Sequence, residues 1–384
     1  MDSKHILIIP SWYPATSNDV GGSFFREQAI ALKKRGYKVG VIFPAFRSMR
    51  DVKGVFFKSY GISYEVDNGV NTYRYHSINL PRMPELANKR WLSAGWKLYK
   101  KYIRKHGVPD IIHVHSIINA GFLAFKLYEK HKVPYMLTEH STAFARGLVE
   151  PYLVQESKKI VENSKYNIAV SNEFKLLLSN VFEVNSWNYV PNIVSEDFFS
   201  TSSELISFRS GFTFINICLL DKKKKVVVAK SFKNDKNIVL KIGGDGPERG
   251  YLEKLTQDLG VKSQVHFLGM LSREQVKEQV AAADAFVLSS EYETFGVVVI
   301  EALALGKPVI ATKSGGPESI LNDEVGYLVD VNDVEQMSEA MIDLYKNIDR
   351  FDAEYIRSYC RNNFSEDAVI SKLSSIYQSV VESN

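Results

Sequence analysis

Cysteine is nearly missing from this chain: Cys218 and Cys360 are the only two in 384 residues. Two thiols form no disulfide framework, and a reducing compartment is the simpler reading. Long apolar runs are missing too, since no window approaches the ~18 uninterrupted apolar residues of a membrane-crossing helix. The opening M-D-S-K-H-I-L-I-I-P has an apolar run too short for a signal peptide, and it leads into S-W-Y-P rather than a small-residue cleavage site. These absences predict a cytoplasmic protein. No internal repeat, low-complexity tract or metal-spaced His/Cys cluster is present. What remains, 45% hydrophobic and 24% charged residues, is an ordinary globular composition with length enough for two cores.

Charge is scarce in sum but unevenly placed. The net charge is +4, yet residues 1–193 hold 27 Lys+Arg and 15 Asp+Glu, or +12, leaving −8 for the rest. A basic first half fits an anionic partner such as the inner face of a membrane or a lipid phosphate; an uneven, solvated surface fits as well. No nucleic-acid partner is expected.

Strand and helix patterns alternate throughout, the signature of parallel α/β layers. In the first half, strands are expected at residues 5–10, 38–43, 111–115, 134–138 and 167–170, and helices at 24–35, 91–106, 122–131 and 154–163. The alternation pauses after Val190-Pro191-Asn192 in a Ser- and Asp-rich stretch, residues 195–203, which reads as a linker. The second half repeats the grammar, with strands at 214–219, 238–243, 265–268, 285–289, 308–311 and 326–329. Helices are expected there at 248–259, 273–282, 296–305, 334–347 and 366–381. Two Rossmann-like domains facing across a cleft follow, residues 1–193 and residues 194–363, with a terminal helix in 364–384 crossing back to the first.

The most informative stretch is E-T-F-G-V-V-V-I-E-A-L-A-L-G-K-P-V-I-A-T-K-S-G-G, residues 293–316. Glu293 is expected in a loop before a helix and Glu301 about two turns inside it. Helical side chains lean toward the N-terminus, so Glu301 can reach the mouth that Glu293 guards. That mouth offers free N–H groups and the positive end of a helix dipole, which suit phosphate, while carboxylates suit sugar hydroxyls. A second candidate is Val20-Gly21-Gly22-Ser23-Phe24, where a Gly pair lets backbone approach a ligand. It is not the dinucleotide fingerprint, because no G-x-G-x-x-G follows the strand; a plain strand-to-helix turn explains it too. A third is Thr138-Glu139-His140-Ser141 at a strand's C-terminal end, where open α/β sheets place ligands, although a lone His is more often structural.

In their order and spacing these pieces resemble the family 4 glycosyltransferases, retaining GT-B enzymes that use nucleotide-sugar donors. The resemblance covers nearly the whole chain. I-I-P-S-W-Y-P with Gly21-Gly22, D-I-I-H-V-H, P-Y-M-L-T-E-H, A-V-S-N and V-P-N-I-V carry it in the first half. G-G-D-G-P-E, F-L-G-M-L-S, A-A-D-A-F-V-L-S-S and the E-x7-E region carry it in the second. The resemblance implies that Glu301 binds the donor ribose and Glu293 the transferred sugar or its phosphate. Amides at Phe295, Gly296 and Val297 would meet the diphosphate, and Lys223 or Lys224 would neutralise it. Gly244 belongs to the same donor-binding set. Gly21 and Gly22 would close over the phosphates, and His140 would contact the sugar near the reacting carbon. No cofactor and no metal is expected, since Lys and helix dipoles supply the positive charge. The family is held to react by front-face attack, the departing phosphate oxygen taking the acceptor proton.

Three departures from the family pattern stand out. Cys218 occupies the place of a common Arg in I-C-L-L-D-K-K; the helix after the Lys222–225 run, residues 226–232, is some two turns short; and Glu318 lies one position early in G-G-P-E-S. The acceptor is expected to be a saccharide or a lipid-linked sugar of cell-envelope polysaccharide assembly. Residues 91–105, basic and aromatic, fit either a membrane-lying helix or one packed on the first sheet. The aromatic residues 60–75 read as an acceptor loop. A GT-B phosphorylase or epimerase, and a non-catalytic sugar-nucleotide-binding protein, are the alternative readings.

Overall fold

The computed structural model describes residues 3–14, 21–48, 60–79, 84–200, 211–221 and 235–382. The chain divides into two compact units: Met1–Val170 with Lys175–Val190 and Ile370–Asn384, and Ser171–Phe174 with Pro191–Val369.

The first unit is built on strands β1 (His5–Pro10), β2 (Lys38–Arg47), β3 (Gly61–Asp67), β4 (Val70–Ile78), β5 (Ile111–His115), β6 (Tyr135–Glu139), β7 (Asn167–Ala169) and β8 (Trp187–Tyr189). They form one sheet in the order β3-β4-β2-β1-β5-β6-β7-β8. Every pair is parallel except β3 with β4. β1, β5 and β6 are buried along their whole length, as strands covered by helices on both faces must be.

Residues 60–75, expected as a loop, are therefore mostly strand. They belong to a β-hairpin, closed by Asn68 and Gly69 at φ 47° and 83°, the left-handed pair that a tight two-residue turn requires. The helix expected at 91–106 starts earlier and spans Pro84–His106. Trp91, Ala94, Leu98, Tyr99 and Tyr102 on its inner face are buried. Those aromatics are core, so they are not a face for a membrane. β8 and the helix Asn172–Phe182 were not expected from the sequence.

The second unit carries β9 (Phe212–Ile217), β10 (Ile238–Gly243), β11 (Val265–Gly269), β12 (Ala285–Leu288), β13 (Val309–Thr312) and β14 (Gly326–Val329). All are parallel, in the order β11-β10-β9-β12-β13-β14. Helices Arg249–Asp258, Arg273–Ala281, Val297–Ala304 and Val334–Lys346 fall within a residue or two of expectation. Ser272 and Gln275 close a reciprocal capping box on the second of these. Helix Ala353–Phe364 was missed because its inner row, Ile356, Cys360 and Phe364, is one residue wide. The stretch read as a linker opens with a docked turn, Glu196–Phe199, whose Phe198 is buried. The last helix runs Glu366–Glu382, and its part from Ile370 onward belongs to the first unit. No helix among the described residues is long and apolar enough to cross a membrane.

Candidate functional site

In the first unit the candidate residues gather where β1, β5 and β6 end. Ser11, just past β1, ties down the loop after β5: its hydroxyl faces the carbonyls of Ser116 (3.0 Å) and Ile118 and accepts from the Ala120 amide at 3.3 Å. Glu139, the last residue of β6, is fully buried and accepts from three amides, Ile117 at 2.7 Å, His140 at 2.9 Å and Ser141 at 2.7 Å. A carboxylate without such donors would not be tolerated there. Burial raises its pKa, while the amides and the Ser116 hydroxyl pull it back down. Two loops are thus held by one side chain.

His140 follows directly and is 6% exposed. Its Nε2 lies 3.0 Å from His115 Nδ1, and its ring packs against Phe24 and edge-on against Phe25 at 4.8 Å between centroids. Those phenylalanines open helix Ser23–Lys34, whose N-cap is Gly22 at φ 79°. A side chain at Gly22 would press on the Trp12 ring, while Gly21 is open. The Gly pair and His140 are thus brought together. His113 completes a buried imidazole row, its Nδ1 2.6 Å from Tyr377 Oη and its Nε2 2.8 Å from Thr138 Oγ1. Burial lowers all three pKa values, His113 to about 3 and the others well below the ordinary 6.5, so the row is neutral.

In the second unit Glu293 is half-buried in the loop after β12 and accepts from Ser290 Oγ at 2.7 Å. Gly296, φ 96°, is the N-cap of helix Val297–Ala304. The amides of Phe295, Gly296 and Val297 donate to no acceptor among the described residues. Glu301 lies little more than one turn inside, not two, because the helix starts at Val297. It is 2% exposed in an otherwise apolar helix and ion-paired to Arg273, whose guanidinium sits over the Phe198 ring. Without that partner the carboxylate would be a buried, uncompensated charge.

The Gly315-Gly316 loop closes on this segment: the Glu293 amide donates to Ser314 O at 2.9 Å, and the Gly315 amide to both Glu318 carboxylate oxygens at 3.0 and 3.1 Å. Glu318 therefore braces its own loop. Gly244 has φ 126°, and a Cβ there would lie 1.8 Å from the Cys218 carbonyl oxygen. Only glycine fits. The Cys218 thiol meets Asn216 Oδ1 at 2.9 Å. Lys223, Lys224 and residues 226–232, where a short helix is expected, lie outside the described residues.

Sequence reasoning missed Ser11, Glu139 as a brace, and Arg273. Glu139 could have been read from T-E-H as a carboxylate at a strand end; Arg273 carries no local signal. Among the described residues no group of three His, Cys, Asp or Glu side chains could hold a metal. The chemistry on offer is anion binding at a helix N-terminus, hydroxyl binding by carboxylates, and one buried neutral imidazole beside a glycine pair.

Residues 21–198 match the family described as Glycosyltransferase Family 4, and residues 218–361 match Glycosyl transferases group 1. The N-acetyl-alpha-D-glucosaminyl L-malate synthase of Bacillus anthracis is 29% identical over 288 residues, covering 71% of this chain and 75% of its own. The putative teichuronic acid biosynthesis glycosyltransferase TuaC of Bacillus subtilis is 28% identical over 377 residues, 88% of each chain. Among solved structures, sucrose-phosphate synthase from Thermosynechococcus elongatus superimposes with a TM-score of 0.82 at 20% identity, over 99% of this chain and 100% of that one. Anabaena Alr3699/HepE in complex with UDP-glucose gives 0.74 at 15% identity, over 98% and 100%. These likenesses show the fold.

Proposed function

This chain belongs to the group 1, family 4 glycosyltransferases of GT-B fold, and from that premise we propose the substrates and the residue roles. It is a retaining enzyme that moves a sugar from a nucleotide-sugar donor to a saccharide or lipid-linked acceptor. Cell-envelope polysaccharide assembly is the setting, a reading supported by the kinship with TuaC, which is named for teichuronic acid biosynthesis. A UDP-sugar is the favoured donor, since HepE is complexed with UDP-glucose.

The observation that carries this reading is the helix mouth at Phe295-Gly296-Val297, with three uncommitted amides and the Glu293 carboxylate beside them. The amides receive the diphosphate. Glu293 holds the transferred sugar, and Glu301 the ribose hydroxyls, its pairing with Arg273 fixing the carboxylate's orientation. Lys223 or Lys224 adds a compact positive charge to the phosphates. Breaking the anomeric C–O bond leaves an anionic nucleoside diphosphate and an oxocarbenium-like sugar, so donors aimed at the phosphates favour the transition state over the ground state. The departing phosphate oxygen takes the acceptor proton. His140, neutral and buried, lines the sugar face and withholds water. No metal or cofactor takes part in this scheme.

A thermal-shift series with UDP-, GDP- and ADP-sugars tests the donor, since a ligand bound only to the native state raises apparent stability. Glu301→Ala should weaken donor binding by about tenfold or more. Unchanged donor affinity in a folded variant sinks the assignment.

A further inference from the structure

We infer that a pocket of the first unit beside the loop after β5 seats an uncharged saccharide, the acceptor end of the transfer. This rests on the transferase reading and adds to it a place and a chemical class.

The pocket has a volume of about 310 Å³ and is lined by the early turns of helices Pro84–His106 and Pro151–Asn163 and by the loop after β5. That is the size range of small-molecule sites. Its position is also a ligand's position: β1 has β2 on one side and β5 on the other, so the strand order reverses between β1 and β5, and the loop in question leaves the C-terminal end of β5.

The loop is held in an unfavourable shape. Asn119 has φ 71° and ψ −67°, a γ-turn conformation that non-glycine residues rarely adopt. Such a conformation persists only where its surroundings enforce it. Here they do: Ser11 grips the carbonyls of Ser116 and Ile118 and the amide of Ala120, and Glu139 takes the amide of Ile117. The loop is therefore braced on both sides of Asn119, and Asn119 lines the pocket.

The lining then selects the ligand. The side chains of Glu85, Glu156 and Asn119 make no hydrogen bond or ion pair with any described residue, so their polar atoms are available to a guest. Phe122 and Tyr152 supply aromatic faces for the C–H side of a sugar ring. Two carboxylates against one ammonium, Lys89, make the lining net negative, within a half of the chain that carries +12. A site for a phosphate or a uronate would have used the abundant Lys and Arg; this one repels anions and offers acceptors to hydroxyls.

Saturation-transfer NMR on the full chain, with methyl glycosides of uncharged hexoses against glucose 6-phosphate and glucuronate, tests this. Uncharged glycosides should bind to the wild type, and Tyr152→Ala and Glu156→Gln should each weaken them by about tenfold. In the same samples the thermal shift given by the nucleotide-sugar should not change. Preferential binding of the charged sugars, no binding of any glycoside, or variants that bind like the wild type each overturn the inference. A wild type that gives no shift with any nucleotide-sugar instead overturns the transferase reading beneath it, so the two failures are told apart. Glu156→Lys, which reverses the lining's charge, should move the preference toward glucose 6-phosphate; if it does not, the charge argument is wrong.

Discussion

Acid should weaken the first unit through its row of buried imidazoles, and His113 lets the size be worked out. Its pKa is held at about 3 by burial, against an ordinary value of 6.5 when unfolded. A group lowered in the fold contributes fully above its unfolded pKa and loses that contribution as pH falls toward the folded value, here between 6.5 and about 3. At about pH 5 the unfolded histidine is protonated and the folded one is not, which costs roughly 2 kcal/mol relative to pH 7.5. His115 and His140 act in the same direction. Glu139, raised by burial, acts in the opposite one. A double difference isolates His113: unfolding free energies from urea titration at both pH values, for the wild type and for His113→Gln. The variant loses its bonds to Tyr377 and Thr138 and starts less stable, but its loss on acidification should be smaller by about 2 kcal/mol. Hydrogen exchange at the imidazole C2 position supplies the direct reading. Equal acid losses in the two proteins, or a His113 titration midpoint above about 6, would refute the reasoning.

Three further outcomes follow from contacts already described. Gly244→Ala forces a Cβ toward the Cys218 carbonyl and should cost about 3 kcal/mol or more, seen as a Tm lower by several degrees; a wild-type Tm would show that the turn relaxes freely. Arg273→Ala leaves the Glu301 carboxylate without its cation and should destabilise the second unit by about 1–3 kcal/mol in chemical denaturation, while Arg273→Lys recovers part of the loss; identical midpoints would mean the pair is ornamental. Ser11→Ala removes a hydroxyl that serves three backbone groups, and amide exchange at residues 117–120 should quicken by about tenfold with little change elsewhere; protection equal to the wild type would mean the loop holds itself.

The parts of the site that sequence made legible are those where backbone chemistry dictates residue type. Gly244 and Gly296 stand out because a positive φ, and at Gly244 a close backbone approach, admit little else. The strand-and-helix rhythm was readable for a similar reason, since sheets covered on both faces need continuous apolar runs such as β1. Arg273 was invisible because its partner lies 28 positions away and only the folded sheet brings the two together. Ser11 and Ser116, 105 positions apart, are the same case. The hairpin at residues 61–78 was legible and yet misread. Its aromatics suggested a binding loop, while the Asn68-Gly69 turn between alternating residues was the stronger signal. Glu301 sits nearer the helix mouth than the pattern predicts, because Gly296 caps the helix rather than opening it.

The helix Glu366–Glu382 sets a schedule for folding. Ile370, Leu373, Ile376, Tyr377 and Val380 are buried, and Tyr377 supplies the hydroxyl that meets His113 on β5. On the ribosome, β1 through β8 emerge first and must wait for the whole second unit to be synthesised before these side chains arrive. Until then the first unit carries an apolar vacancy and an imidazole missing one partner. The second unit has no comparable wait beyond Val369. Later-made residues can therefore complete their core without the earlier-made ones, and a released chain cut short at Val369 would leave the N-terminal half unfinished rather than the C-terminal one.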